Sequence, residues 1–197
     1  MPDADRKLVS LVPHPVTPPR AVGGIRAGCH LTDDGRLRFT YRIEAARERL
    51  SWIRQPVAGR RDELWRHTCC EAFVATGPES YLEFNFAPDG SWAAYAFTAY
   101  RRRGRAEPVL EAPAIRVHFG PQEMRLEAAV AWRGPGDDCR ARGLRMGLAG
   151  VVEEAGGPTS YWALRHPRPQ PDFHDADAFV LEVPAARWPP RSGEPAA

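Results

Sequence analysis

The sequence predicts an all-β protein, a two-sheet antiparallel β-sandwich, on three observations. About nine to eleven short runs alternate apolar and polar residues and are separated by turn residues. Three such runs follow one another directly between Cys70 and Tyr100. No segment carries the 3.6-residue apolar period of a long helix, and there are no heptads or internal repeats. The 197 residues suit one domain with a substantial core. That domain is expected over residues 8–188, between an N-terminal extension (1–7) and a Pro-rich tail (189–197).

Composition sets limits on function. Apolar residues make up 43% and charged residues 26%, which excludes a mostly disordered chain. A formal net charge of +2 is too small to indicate an electrostatic polyanion binder, so no nucleic-acid partner is expected. Lys7 is the single lysine. The arginines are read mainly as solvated surface, with some available as planar donor forks for recognition. No apolar run is long enough for a transmembrane helix, and the N-terminus lacks the apolar stretch of a secretion signal. A cytoplasmic protein with reduced thiols is the expectation. Cys29, Cys69, Cys70 and Cys139 form no pair of CxxC motifs, so a zinc ribbon has no support.

Taken in order, Leu8 to Val12 reads as an edge strand whose flanking Pro13, Pro15, Pro18 and Pro19 prevent further pairing. A second strand over Gly24–Thr32 ends at the turn Asp33-Asp34-Gly35. Leu37, Phe39, Tyr41 and Ile43 alternate with polar residues, the pattern of a half-buried strand. Residues 45–63 break the alternation and read as an elaborated loop, with Trp52 and Arg54 as rim candidates. In the central meander, Tyr81, Glu83 and Asn85 alternate with Leu82, Phe84 and Phe86. One strand face is therefore apolar, and the other offers a phenol, a carboxylate and an amide. Pro88-Asp89-Gly90 supplies a turn. Arg101-Arg102-Arg103-Gly104-Arg105 reads as a basic, solvated turn, with a phosphate grip as the alternative. Strands follow around Ile115–Phe119, Met124–Trp132 and Leu144–Val152, where Gly147 and Gly150 allow bends or close backbone approach. After Tyr161–His166, the stretch PRPQPDFHDADAF is too rich in proline for regular structure, and Phe179–Val183 makes a final strand.

Four groupings carry chemistry. Trp65, Arg66 and His67 with Glu71, Tyr81, Glu83 and Asn85 combine aromatic platforms with carboxylate, amide and guanidinium groups, the parts a sugar site needs for C–H faces and hydroxyls. The alternative is ordinary strand packing under the loops. His166, Asp172, His174, Asp175 and Asp177 could hold a transition metal or, through the carboxylates, calcium, yet their spacing matches neither HExxH nor an EF-hand. The competing reading is a rigid loop with aspartates capping turns. No GxSxG or SxxK motif supports a nucleophilic enzyme, and an enzyme is not expected. A haem would require Met124 or Met146 with His67, His118, His166 or His174; Met124 falls on the apolar side of its strand, where core packing is the stronger reading, and no CxxCH is present. No cofactor is expected.

The motifs DELWRHTCCEAFVA, YLEFNFAPDGSWAAYAFTAYRRR and SYWALRHPRPQPDFHDADAF resemble the bacterial DOMON-like domain proteins, which are related in pattern to family-nine carbohydrate-binding modules. The resemblance runs from about Leu8 to Val183. It implies a sandwich of immunoglobulin-like architecture with ligand bound across one sheet or at its open end, the ligand being sugar or haem. Trp65, Arg66, Glu71, Tyr81, Glu83 and Asn85 fall in the corresponding motif region. Trp162, Arg165 and His166 lie in the third motif, and Phe173 and His174 would complete a site if the 165–178 loop folds over the sheet. The expectation is thus a non-catalytic module for a small-molecule or glycan ligand, with haem or metal binding as the alternative and no membrane partner.

Overall fold

A computed structural model describes residues 8–32, 34–52, 58–106, 108–109, 111–132 and 143–184. Arg54, Cys139, nearly all of the loop expected after Trp132, and the Pro-rich tail lie outside them. The described elements are strands β1 (Val9–Pro13), β2 (Gly24–Leu31), β3 (Leu37–Glu44), β4 (Leu50–Ser51), β5 (Cys69–Ala75), β6 (Tyr81–Phe86), β7 (Trp92–Ala99), β8 (Arg102–Arg103), β9 (Ala114–Phe119), β10 (Glu123–Val130), β11 (Leu144–Glu154), β12 (Thr159–Ala163) and β13 (Leu181–Val183). Three 3-10 turns span Arg47–Arg49, Leu64–Arg66 and Ala176–Ala178. Among the described residues no helix is long and apolar enough to cross a membrane.

The fold is all-β. Its strands pair antiparallel along one open path, β8-β7-β6-β5-β11-β12-β1-β2-β3-β10-β9, with β4 and β13 attached to β11. The path folds back on itself at β1. Val9–Leu11 pairs with β2, whereas Val12 and Pro13 pair with Ala163 and Trp162 of β12. This corrects the expectation of an edge strand. The flanking prolines end β1, but its five residues split their hydrogen bonds between two neighbours and join two layers, called here the β5 layer and the β3 layer.

The layers face each other through the apolar halves of the alternating strands. Phe39 of β3 lies 6.0 and 5.6 Å, ring to ring, from Phe84 and Phe86 of β6. Tyr41, fully buried, donates its hydroxyl proton to the Glu71 carbonyl across the core at 2.6 Å. Met124 and Met146 are fully buried in the same cluster. Burying such side chains contributes roughly 1.5–3 kcal/mol each, and this pins the period-2 register of both layers. The meander expected at 70–100 is present as β5-β6-β7, neighbours in space as in sequence.

Candidate functional site

Because β5, β6 and β7 send every second residue into the core, the residues between them all point to the outer face of the β5 layer. Register sets them in rows. Ala149, Glu71, Asn85 and Ala93 lie across β11-β5-β6-β7, with Ala163 of β12 extending the row. The next row runs Gly147, Phe73, Glu83, Tyr95. Alanines on both sides of Glu71 and Asn85 leave a depression, and taller side chains surround it.

Two loops roof the ends of this face. From one side the Leu64–Arg66 turn buries Leu64 against Cys69, Ala87, Ala93 and Tyr95, and leaves Trp65 46% exposed at the rim. From the other side the loop between β12 and β13 folds back over the sheet. Its Phe179 ring stacks on Phe73 at 5.8 Å and Phe173 packs on Phe73 and Tyr161. Gly147 makes this approach feasible, since a Cβ there would sit 2.8 Å from the Phe179 ring. Between the two roofs lies a cleft of about 960 Å³, floored by Glu71 and Glu83 and walled by Trp65, Tyr95, Phe97, Tyr161, Arg101, Arg103 and His174.

The floor is electrostatically unusual. Glu71 is 3% and Glu83 4% exposed. Burial, then the neighbouring Glu83 carboxylate, push the Glu71 carboxyl well above its usual range, with Arg101 opposing. Burial also raises Glu83, against a hydrogen bond donated by Asn85 Nδ2 at 2.6 Å and the charges of Arg101 and Arg103. Glu71 Oε1 has no hydrogen-bond partner among the described residues. Above the floor, Tyr81 accepts from the Arg101 backbone N–H at 3.0 Å and shares a 2.8 Å hydrogen bond with His174 Nδ1. The phenol proton is therefore free to point at Nδ1, which leaves the Nε2 proton directed toward Glu83, 3.8 Å away. His174 is held neutral, its pKa lowered to about 4 by burial and then by the Arg101 charge, although Asp172 opposes the shift.

The rim is held under strain. Glu63 (φ 63°) and Arg101 (φ 53°) are the two non-glycine residues in the left-handed region among those described, and both line the cleft. Arg101 is clamped by its 2.9 Å ion pair with Asp172, which also accepts from Tyr100 at 2.5 Å and from the His174 N–H at 3.1 Å. Burial alone would raise the Asp172 carboxyl, but these bonds hold it below its ordinary value. Arg103 stacks over Tyr95 at 4.0 Å, and Tyr95 donates to Asp62 at 2.8 Å.

The structure gathers Trp65, Glu71, Glu83, Phe173 and His174 at one cleft. Tyr81 and Asn85 lie beneath them as supports rather than walls. Arg66 and His67 turn away into a neighbouring recess of about 190 Å³, where His67 Nδ1 pairs with Glu153 at 3.1 Å. Trp162 is placed elsewhere: it lies on the inner face of β12, 3% exposed, its Nε1 donating to Ser160. Trp52 stacks on Phe119 of the β3 layer at 4.9 Å. His166 donates from Nε2 to the Val12 carbonyl at 2.8 Å and rests edge-on against His14, while Arg165 projects to solvent. Trp162, Arg165 and His166 lie outside the cleft because β12 alternates its side chains, and 164–168 runs past the sheet before the loop folds back. Among the described residues no group of three or more His, Cys, Asp or Glu is gathered for a metal ion; Asp175 instead caps the Ala176–Ala178 turn through the Asp177 N–H.

Tyr95, Phe97, Arg101, Arg103 and Tyr161 are absent from the sequence-based selection. The first two were legible, since Tyr95 directly opposes Glu83 and Phe97 opposes Tyr81. Continuing the alternation of β6 across the Pro88-Asp89-Gly90 turn finds both. Arg101 and Arg103 belong to a basic turn expected to be solvated, and their side chains do keep 52% and 55% of their exposure while also lining the cleft.

No protein-family model and no curated protein sequence matches the chain. Its fold is similar to that of a protein from Bacteroides uniformis ATCC 8492 described as a "putative carbohydrate-binding protein", with a TM-score of 0.59 and 18% identity, covering 88% of this chain and 84% of that one. At this identity the likeness is one of fold.

Proposed function

We propose that the chain is a non-catalytic binding domain that takes a sugar or sugar-like polar small molecule in the cleft over β5-β6-β7. One observation carries this reading. A single concavity joins aromatic faces (Trp65, Tyr95, Tyr161) to buried carboxylates (Glu71, Glu83) and guanidinium groups (Arg101, Arg103). A hydroxylated ring needs that mixture, because its C–H faces rest on aromatics while its hydroxyls require paired acceptors and donors. The left-handed strain at Glu63 and Arg101, both on the rim, supports it, since such conformations concentrate where a ligand is held. So does the fold shared with a protein described as a "putative carbohydrate-binding protein".

Isothermal titration against monosaccharides and short oligosaccharides at millimolar concentration tests the reading. Binding that weakens on Trp65→Ala, with the variant still folded, is the expected result. A folded protein that binds no member of the panel would remove the proposal.

A further inference from the structure

Glu71 Oε1 poses a specific chemical question. A carboxyl oxygen buried to this degree with no hydrogen-bond partner carries an uncompensated desolvation cost. The neighbouring side chains already have partners: Asn85 Nδ2 serves Glu83, Tyr95 serves Asp62, Arg101 Nη2 serves Asp172, and His174 Nδ1 is joined to Tyr81. A ligand that reaches the cleft floor can supply the missing partner.

The charge around the cleft says what kind of donor. Asp62, Glu63, Glu71 and Glu83 line it against Arg101 and Arg103, four carboxylates to two guanidiniums. Arg101 is further neutralised by Asp172, and Arg103 lies 3.8 Å from Asp62. The imidazole of His174 is neutral. Glu71 and Glu83 occupy diagonal positions on adjacent strands, their backbones about 7–8 Å apart and their Cβ atoms closer, so one small group between them reaches both carboxylates. The surrounding aromatic rings favour a cation as well as a C–H face.

Resting on the sugar-binding reading, we infer that the cleft is selective for a hydroxylated ligand bearing a primary amine, such as an amino sugar, whose ammonium docks between Glu71 and Glu83. An ammonium supplies three donors and a full charge that both carboxylates can share, whereas a neutral hydroxyl supplies one donor and no charge. The groups facing the pair are Asn85, Arg101, Arg103 and His174. None of them brings a mobile cation to its centre, and burial together with the neighbouring Glu83 charge favours the protonated form of Glu71 in the free protein. The incoming ammonium replaces that proton. Binding therefore releases about one proton, and affinity rises with pH until the ligand amine itself deprotonates.

The test is calorimetric titration with glucosamine, glucose and N-acetylglucosamine, and with short oligomers of glucosamine and of N-acetylglucosamine, in two buffers of different ionisation enthalpy. Glucosamine ligands are expected to bind roughly tenfold or more tightly than their neutral counterparts, with proton release. Glu71→Gln, and separately Glu83→Gln, should each lower affinity for the amines more than for the neutral sugars, closing the gap between them, and abolish the proton release; near-UV circular dichroism checks that both variants are folded. Neutral sugars binding as tightly as their amines, or amine binding without proton release, overturns this inference and leaves the sugar-binding reading standing. No binding by any ligand removes both.

Discussion

The two layers of this sandwich are built by the same alternation and end in opposite chemistry. On the outer face of the β3 layer, Arg26, Arg42, Arg125 and His118 stand directly opposite one another across β2-β3-β10-β9. Like charges in such a ladder repel, but here water screens them and carboxylates interleave: Glu127 lies 2.7 Å from Arg125, and Glu123 lies 3.8 Å from Arg42. Those glutamate side chains keep 26% and 39% of their exposure. On the outer face of the β5 layer, Glu71 and Glu83 occupy equivalent strand positions yet are almost wholly buried. The difference is the cover. Two loops fold over one layer and not over the other, and the same residue type is a hydrated surface group in one place and a desolvated, proton-holding group in the second.

Removing the cover should blur the contrast most strongly. Phe179→Ala deletes a ring, 2% exposed, that stacks on Phe73 and rests over Gly147. Chemical denaturation should show a loss of about 3–5 kcal/mol, and the Glu71 and Glu83 carboxyls should titrate at lower pH in carboxyl NMR.

Next in size is the response to acid. The unfolded chain protonates its histidine near 6.5, whereas His174 in the fold does so only at about 4. Between these values the unfolded state binds more protons, so stability contributed by neutral His174 is present above 6.5 and is lost as pH falls toward 4, by up to about 3 kcal/mol. Glu71 and Glu83 act in the opposite sense, because carboxyls raised in the fold favour it at low pH and cost stability as pH rises. Comparing denaturation of the wild type with His174→Gln from pH 7 to 4 isolates the histidine; an unchanged slope would exclude its role. Glu71→Gln should melt higher than the wild type at pH 8 and lose that advantage at pH 4.

Smaller effects sharpen the comparison. Trp65→Ala should weaken ligand binding by about 1–2 kcal/mol, roughly tenfold, with little change in stability because the ring is half exposed. Arg125→Ala on the uncovered face should change stability by less than about 1 kcal/mol and leave ligand affinity untouched.

Much of this was legible in the chain. The alternation in Tyr81–Phe86 assigns Leu82, Phe84 and Phe86 to the core and Tyr81, Glu83 and Asn85 to the other face, and the structure places them so. Trp162 shows the limit. Its motif has the aromatic and basic composition of a site, but strand parity turns the indole inward, and parity depends on a register that composition does not carry. Arg101 and Arg103 show a second limit: an arginine run is the same string whether it stands in open water or, half exposed, edges a cleft.

Local alternation and turn chemistry thus determined the strands, their two faces and the all-β class, because these follow from nearest-neighbour backbone geometry. Whether Glu71 sits in water or in a desolvated cleft was decided by contacts 71 or more residues apart in the chain: Phe179 on Phe73, Asp172 on Arg101, His174 on Tyr81. Burial is a property of the assembled fold, and the free energy of a buried charge depends on it far more than on the residue's immediate neighbours in sequence.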